Sequence, residues 1–522
     1  MKALLMHRER DFQTMEALPW NEEALTQDLE LGTLVKAMAG DDDFLAEVAR
    51  RALLCGLRND AETILYRQEI LKDAQKNPEA VRELYRLTEE AIEGVKKHWW
   101  GLTSRYPSSL LYSALDLLEF HVEMLRKVRG LAERMGGRFE SAGFTRLFAM
   151  LRDELGDEYL ARVETHLEEL KFRKGVLLSA ELGKGNEGIN YMLRRARGKR
   201  PNWIQRVLGK GPRSYTFSLA ERDQTGGQIL TDMRHEGISR VARALAESAG
   251  HVLNFFKMLR AELAFYVGCL NLEERLRAKG EPMCFPIPAT AGEGRHRFRG
   301  LYDVCLSLHM KERVTGNEAE ADGKRLVIVT GANQGGKSSF LRSIGQAQMM
   351  MQSGMFAGAE RYEAGVCSGL ITHYKREEDA TMKSGKFDEE MARMSEIAGH
   401  IRPNAMVLLN ESFAATNERE GSEIARQIVG ALVEKGMRIF YVTHLYEFAR
   451  GYFEGRRENT LFLRAERKAD GTRTFRMLEG EPLETSYGVD LYRQIFEASE
   501  GARDGGTGEE SVSTLADERR EG

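Results

Sequence analysis

The sequence predicts a multidomain protein of mixed class, α-helical at first and α/β towards the C-terminus. Up to about residue 280, apolar side chains recur at intervals of three and four residues, a spacing typical of amphipathic helices. Beyond it, the short runs 326–329, 405–409 and 438–442 are typical of buried strands, and a helical pattern follows the first of them, which favours an α/β domain. At 522 residues the chain is also too long for a single hydrophobic core.

Composition limits the possible classes of protein. The net charge is only −4, so any contact with nucleic acid must come from a local basic patch. The five cysteines are scattered and form no C-x-x-C pair, which argues against a disulfide framework and a zinc site. No apolar run reaches the roughly 18 residues of a membrane span, and the N-terminus is interrupted by charge too early for a secretory signal. We therefore expect a cytoplasmic protein without a membrane partner.

Residues 1–106 are predicted to form a helical core domain without catalytic residues. Residues 107–227 are predicted to hold two long amphipathic helices, separated at Gly136-Gly137, followed by a basic insert. The short connection makes the helices antiparallel, with a spacing close to that of a coiled coil. A pair of rigid arms that transmit motion and an ordinary helical hairpin fit the pattern equally well.

The insert is expected to lie between two short strands, 176–182 and 214–219. No acidic residue occurs between Glu187 and Glu221, and aromatic residues such as Tyr191 and Trp203 are interleaved with the basic ones. Such a stretch fits phosphate contact with occasional stacking, although a solvated charged face is the common alternative. The candidate DNA contacts are Arg194, Arg195, Arg197, Lys199 and Arg200.

Residues 228–280 are predicted to be helices that lead to the next domain, and 281–498 to form an α/β domain. The tail, 499–522, is rich in Gly, Ser and Glu without an apolar period, so we expect it to be disordered.

The α/β domain contains a phosphate-binding motif, G-x-x-x-x-G-K-[ST], directly after the run 326–329 and before a helical pattern. Its glycines permit a turn whose backbone N–H groups face one anion, and the helix start adds its positive dipole end. Lys337 would contact the β- and γ-phosphates, and Ser338 would bind Mg²⁺. A glycine turn without a ligand is the alternative. The predicted nucleotide-binding residues are Gly331, Ala332, Asn333, Gln334, Gly335, Gly336, Lys337, Ser338 and Ser339.

Two further strands end in polar residues. The run 405–409 is followed by Asn410-Glu411, and 438–442 is followed by Thr443-His444. A carboxylate at the end of such a strand can hold the Mg²⁺ shell, and a Glu after it can orient or deprotonate the attacking water. We therefore predict Glu411, His444 and Lys337 as catalytic residues and Ser338 with Asn410 as metal ligands. A histidine alone at a strand end is usually structural, so the role of His444 depends on the other residues.

These blocks together resemble the MutS family of DNA mismatch-repair ATPases. The turn from Val329 to Ser339 is similar to the family's T-G-P-N-M-G-G-K-S-T, and 387–391 looks like the end of S-T-F-M-V-E-M. Residues 410–421 align without gaps on D-E-I-G-R-G-T-S-T-x-D-G, and Thr443-His444 matches the closing T-H. The helical region resembles the family's core, lever and clamp domains more weakly.

The resemblance implies an ABC-type P-loop ATPase domain, similar to MutS domain V, that binds ATP and Mg²⁺ and forms a homodimer. The signature segment of one subunit, Ser384, Gly385 and Phe387 in this chain, would close over the nucleotide of the other. The chain departs from the family pattern at Asn410, where the metal-shell Asp is expected, so hydrolysis should be slow. Gly385 also takes the place of the signature Ser, and Ser384 lies one position away.

The sequence thus predicts a nucleotide-gated clamp on duplex, mismatched or branched DNA, acting in repair or recombination. No N-terminal F-x-E mismatch wedge is found and the chain is expected to begin at the core domain, so mismatch recognition in the family's usual manner is not expected. One alternative is a nucleotide-gated adaptor that scarcely hydrolyses ATP and acts on a protein partner, which Asn410 favours. Another is an ATPase of the wider ABC or SMC type without a DNA role.

Overall fold

The computed structural model describes residues 1–102, 104–173, 175–195, 215–290, 292–376, 385–468 and 472–483. The chain divides into two compact units. The first unit comprises Met1–Val314 and Gly345–Ser368, and the second comprises Thr315–Ile344 and Gly369–Gly522.

The α-helices and β-strands confirm the predicted mixed α/β class. The helices are α1 Glu22–Asp28, α2 Leu31–Ala39, α3 Asp43–Gly56, α4 Ala61–Lys76, α5 Pro78–Leu102, α6 Pro107–Met135, α7 Ala142–Glu154, α8 Asp157–Leu170, α9 Gln224–Ala278, α10 Val304–His309, α11 Lys337–Gln352, α12 Lys386–His400, α13 Glu418–Glu434 and α14 Tyr446–Glu454. The strands are β1 Leu178–Leu182, β2 Gly188–Leu193, β3 Ile287–Ala289, β4 His296–Leu301, β5 Asn317–Glu320, β6 Leu326–Thr330, β7 Arg361–Gly365, β8 Leu370–Tyr374, β9 Met406–Asn410, β10 Arg438–Val442, β11 Thr460–Arg467 and β12 Arg473–Glu479.

The first unit is organised around α9, a single helix of 55 residues. It packs on α2, α3, α5 and α6, and most of its apolar side chains from Phe255 to Leu276 are buried. Aspartate side chains cap several helices of the unit: Asp42 accepts from Leu45 N, and Asp60 accepts from Thr63 N. In the part of the chain that the structure describes, no helix has the length and apolarity that a membrane span requires.

The two predicted arms are three helices. The second arm breaks at Leu155 and Gly156, where the backbone of Gly156 is extended (φ −54°, ψ 151°) and begins α8. The predicted antiparallel arrangement is confirmed for α6 and α8, because Arg129 pairs with Asp157 at 2.6 Å while Glu119 pairs with Lys171, just beyond the other end of α8, at 2.6 Å.

Of the two short strands predicted on either side of the basic insert, the second, 214–219, was wrong. β1 pairs antiparallel with β2 through a turn at residues 183–187, whereas residues 215–219 are not assigned to a strand. The pairing of β1 with β2 is local because a short glycine-containing turn brings consecutive strands together without a long loop.

Residues 281–314 cluster with the helical unit, rather than with the α/β domain to which the sequence assigned them. The reason is a small sheet in which β7 lies between β3 and β4. β3 pairs parallel and β4 antiparallel to β7, whose residues also belong to the first unit.

The second unit contains a six-stranded sheet of order β12-β11-β6-β10-β9-β8. All neighbouring strands are parallel except β11 and β12. β6, β9 and β10 are buried runs of apolar side chains, as expected for a parallel sheet covered on both faces. In this sheet Val442 of β10 lies opposite Val329 of β6 and Asn410 of β9, so the carboxyl ends of the three strands are level.

The N-terminal segment is fixed to α9 by a buried carboxylate. Glu262 is fully buried, and it accepts hydrogen bonds from the backbone N–H groups of Leu5, Met6 (3.2 Å) and Phe12 (2.7 Å). Burial raises the pKa of Glu262 to about 7, and the backbone bonds oppose this rise. Arg67, also buried, donates to Met6 O at 2.8 Å. The first residues of the chain are therefore part of the core of this unit.

We expect Glu262→Gln to lower the free energy of unfolding by about 2 kcal/mol, because its amide NH₂ would face backbone N–H donors in place of an acceptor oxygen. The measurement is urea denaturation of the protein, in which unfolding of the first unit is monitored with a spectroscopic probe in α9. Glu247→Gln, an exposed position on the same helix, is the matched control and should leave the midpoint unchanged. Equal midpoints for both variants would contradict this role of Glu262.

Candidate functional site

The glycine turn connects β6 to α11 at the carboxyl edge of the large sheet. Three of its residues have positive φ: Gly331 (120°), Gln334 (59°) and Gly336 (85°). A Cβ on Gly331 would come within 2.9 Å of the Ala465 nitrogen in β11, and one on Gly335 within 2.9 Å of the Ala465 Cβ. Glycine is required here both for conformation and for close approach to β11.

Lys337, the first residue of α11, lies inside this turn. Its side chain is buried, and Nζ donates to Gly331 O at 2.8 Å and to Ala332 O at 2.9 Å. Burial lowers the pKa of Lys337 to about 8, and the charge of Glu411 opposes the shift. A buried ammonium held only by neutral carbonyls is a strong site for an anion, because a charged acceptor forms the stronger hydrogen bond.

The two predicted metal ligands are adjacent. Ser338 Oγ donates to Asn410 Oδ1 at 3.2 Å. They meet because Asn410 ends β9 at the level where β6 passes into the turn. Both groups present oxygen atoms, the donor type that hard divalent cations prefer, and neither oxygen is charged.

Glu411 and His444 are also in contact, since His444 Nε2 donates to Glu411 Oε1 at 3.0 Å. The backbone N–H of Glu411 donates to Val442 O at 2.8 Å, which holds the residue against the end of β10. The hydrogen bond from His444 lowers the pKa of Glu411 despite partial burial, with smaller effects from the charges of Lys375 and Lys337. The site therefore contains an ionised carboxylate with a fixed imidazole partner.

Three residues of this edge were missed by the sequence analysis. Lys375 follows β8, and its Nζ lies 3.9 Å from Glu411 Oε2. Arg473 of β12 donates to Gln334 Oε1 at 2.7 Å. Phe475, half-exposed with φ 60°, lies against Gly336, where an added Cβ would be 3.4 Å from Cδ1 of the phenylalanine ring. Lys375 had a weak signal, as a cation just after a strand, but the antiparallel strand β12 has no motif.

The predicted signature residues begin α12. Gly385 is its N-cap, with extended backbone (φ −63°, ψ 150°), and its carbonyl accepts from Glu389 N at 3.2 Å. Phe387 lies in the first turn and is partly buried. Ser384 lies outside the described residues, so its predicted role stays a prediction.

Of the basic candidates, Arg194 and Arg195 are described, and both are exposed just after β2. Arg194 Nε donates to Ser179 Oγ at 2.8 Å, and Arg195 pairs with Glu169 at 2.7 Å. Arg197, Lys199 and Arg200 lie outside the described residues. The described pair forms part of the charged surface at the β1–β2 hairpin.

The mostly parallel sheet, with a glycine turn, a buried lysine and a Glu–His pair at one edge, defines a mixed α/β protein whose polar groups collect at the strand ends. Comparison with known proteins gives the family. The MutS2 N-terminal domain matches residues 59–279, and MutS domain V matches residues 327–499. The chain belongs to the MutS family, as its motifs predicted.

Individual relatives are distant. An endonuclease MutS2 from Thermus thermophilus is 25% identical over 42% of this chain and 28% of its own length. A DNA mismatch repair protein MutS from Chloroflexus aurantiacus is 29% identical over 26% of this chain and 15% of its own length. The mouse MutS protein homolog 4 is 23% identical over 46% of this chain and 25% of its own length. The matched part is thus less than a third of each of these relatives.

The segment after Glu411 is packed tightly against the start of α13, which yields a prediction on stability. A Cβ on Gly421 would lie 2.4 Å from the carbonyl oxygen of Phe413, whereas one on Gly430 of the same helix would meet only Tyr452 Oη at 3.8 Å. We expect Gly421→Ala to destabilise the second unit by about 2 kcal/mol through overpacking. Gly430→Ala, the control, should stabilise it by about 0.5 kcal/mol through helix propensity. Thermal unfolding of the two variants checks this, and the reverse order of stability would contradict the packing described.

Proposed function

We propose that this protein is an ATPase of the MutS type that acts in DNA repair or recombination. It would be a dimer that binds DNA, and its contact with the DNA would change with the nucleotide state. The observation that supports it most is the meeting of three sets of groups at one sheet edge: Lys337 in the glycine turn, Ser338 with Asn410, and Glu411 with His444. Each set has the chemistry that one part of phosphoryl transfer needs.

In this proposal the triphosphate takes the place of the carbonyl groups as partner of Lys337. The ammonium now donates to Gly331 O and Ala332 O, and a phosphate oxygen would compete for it as a charged acceptor. The N–H groups of the turn and of the first turn of α11 would bind the remaining oxygens. Arg473 and Phe475 border the same turn and would contact the rest of the nucleotide.

The site also fits Mg²⁺. Ser338 Oγ and Asn410 Oδ1, 3.2 Å apart, are the oxygen donors that would hold it, and the bound ion would neutralise charge on the transferring phosphoryl group. Neither donor is charged, so the protein itself contributes little electrostatic attraction for the metal. We therefore expect a high Mg²⁺ requirement and slow turnover.

Glu411 is the proposed base that orients or deprotonates the attacking water. Its lowered pKa keeps it ionised at neutral pH. The Nε2–H of His444 fixes the orientation of Glu411 by donating to one of its oxygens. Because a neutral imidazole has only one N–H, this group would have to leave Glu411 in order to donate to the γ-phosphate. Lys375 lies near the other oxygen of Glu411.

We further propose that a second copy of the chain completes the site. The start of α12, with Ser384, Gly385 and Phe387, would approach the nucleotide bound by the partner, with the N-terminal end of the helix facing the phosphates. This is supported by the MutS domain V match. It makes ATP binding and dimer closure mutually dependent.

DNA is the proposed partner. Relatives of this chain are named for DNA mismatch repair and for an endonuclease. Arg194 and Arg195, exposed at the β1–β2 hairpin, together with Arg197, Lys199 and Arg200, are the proposed phosphate contacts. The ion pair between Arg195 and Glu169 is solvent-exposed and therefore weak enough to exchange for a phosphate.

A second candidate function is a nucleotide-gated adaptor that binds ATP with little hydrolysis and acts on a protein partner. Asn410 at the metal shell favours it, and so does Lys375, whose charge near Glu411 would make that carboxylate a weaker base. The two candidates differ in turnover and in DNA binding.

The pKa of Lys337 predicts how nucleotide affinity depends on pH. The lysine is charged below pH 8 and neutral above it, and a phosphate stabilises only the charged form. The Kd for ATP should therefore be constant below about pH 8 and rise by up to tenfold per pH unit above it. Calorimetric titration between about pH 7.5 and 9.5 measures this. Lys337→Ala should bind more weakly with a flat profile, and a flat profile for the wild type would contradict the proposed contact.

DNA binding is tested by filter binding with duplex, mismatched and branched DNA at several salt concentrations, with and without ATP. We expect salt-sensitive binding that changes with ATP, and a smaller salt slope, by about one to two, for the double variant Arg194→Gln/Arg195→Gln. Arg162→Gln, an exposed arginine of α8, is the control and should retain the slope. If none of the DNAs binds with salt sensitivity, the DNA role is wrong.

A further inference from the structure

Glu411 is followed by a strained turn. Both Glu411 (φ 53°) and Phe413 (φ 67°) have left-handed backbone conformations, with Ser412 between them. Such conformations are uncommon for residues other than glycine, and for a bulky aromatic residue they persist only when surrounding contacts impose them. The turn fixes the direction in which the Glu411 side chain leaves the end of β9.

Three buried side chains from three different elements hold this turn. Glu390 of α12 accepts from Phe413 N at 2.6 Å. Tyr441 of β10 donates to Ser412 O at 2.6 Å. The Ser412 hydroxyl lies 2.7 Å from both Nδ1 and the carbonyl oxygen of His373 in β8. All of these side chains are buried, so water cannot replace the contacts.

The imidazole of His373 extends this network back to α12. Its Nε2 lies 3.2 Å from the carbonyl oxygen of Glu390, and its ring stacks on Phe413 with 5.8 Å between centroids. Burial lowers the pKa of His373 to about 4, so the ring is neutral. The single hydroxyl proton of Ser412 is donated to the His373 carbonyl oxygen. The neutral ring therefore either donates from Nδ1 to Ser412 Oγ or donates from Nε2 to the Glu390 carbonyl, depending on its tautomer. Main chain and side chain of Glu390 thus both connect α12 to the turn.

We propose that Glu390 is a positioning residue for the hydrolysis of ATP, which sets the orientation of Glu411 through the Ser412–Phe413 turn and makes it depend on the position of α12. The inference rests on the proposed function, in which Glu411 activates water and the start of α12 approaches the partner's nucleotide. It adds a route by which closure of the dimer reaches the catalytic carboxylate.

The geometry explains why loss of the Glu390 contact should change the rate of ATP hydrolysis and not the affinity for ATP. Glu390 contacts the segment that aims Glu411, whereas Lys337 and the glycine turn bind through their own backbone and side-chain groups. A displacement of a catalytic group by about 1 Å can cost on the order of a hundredfold in rate. Loss of the Glu390 contact should therefore lower kcat and leave ATP binding intact.

The test compares the full-length wild type with Glu390→Ala, Glu390→Gln and the control Glu396→Ala, an exposed carboxylate on the same helix. Single-turnover hydrolysis and the Kd of a fluorescent ATP analogue are measured for each. We expect Glu390→Ala to lower the hydrolysis rate by about tenfold or more, with Kd within about twofold. Glu390→Gln, which keeps an oxygen able to accept from Phe413 N–H, should have an intermediate rate, and Glu396→Ala should match the wild type.

Tyr441→Phe removes the hydroxyl that donates to Ser412 O and that also interacts with the Thr443 side chain. It keeps the test decisive if Glu390→Ala does not fold. Its hydrolysis rate should also fall at constant Kd. One result would overturn the inference and leave the proposed function standing. In that case the wild type hydrolyses ATP, and Tyr441→Phe and every folded Glu390 variant hydrolyse it equally fast. A parallel loss of rate and affinity would also overturn it, because the residue would then be merely structural. A wild type that neither binds nor hydrolyses ATP would overturn both.

Discussion

The parallel register of β6, β10 and β9 is the constraint on which the site depends. Val442 lies opposite Val329 on one side and Asn410 on the other, so the three strands end at one level. The residues that follow them come from distant parts of the sequence, yet they meet at this edge. A shift in the register of one strand would separate Lys337 from Glu411. The chemistry of these side chains therefore depends on the long-range backbone pairing of the strands.

Backbone conformation then decides which way these residues point. The glycine turn needs positive φ and has no room for a side chain beside Ala465, and Glu411 adopts a left-handed conformation without the freedom of glycine. In the glycine turn, the sequence allows positive φ and close approach to β11 by placing glycine at these positions. The conformation of Glu411 is held by surrounding hydrogen bonds to Ser412 and Phe413, and such strain is stored where orientation matters.

The sequence predicted the strands β6, β9 and β10 and the polar residues that follow them, because buried apolar runs and a glycine motif are local signals. Asn410 and Glu411 were found in this way. What it could not predict depended on tertiary structure. The break at Gly156 interrupts a continuous apolar period, and the role of Lys375 is visible only once β8 is known to lie beside β9. The Glu390 network was missed because the signature match at 387–391 does not show which groups Glu390 contacts in the folded chain.

We propose above that Glu411 activates water for the hydrolysis of a triphosphate bound by the glycine turn. It is tested most directly by single-turnover hydrolysis with wild-type protein and Glu411→Gln, with ATP binding measured on the same samples. We expect both proteins to bind ATP and only the wild type to hydrolyse it above background. Equal hydrolysis by the two proteins, or no ATP binding by either, would contradict it.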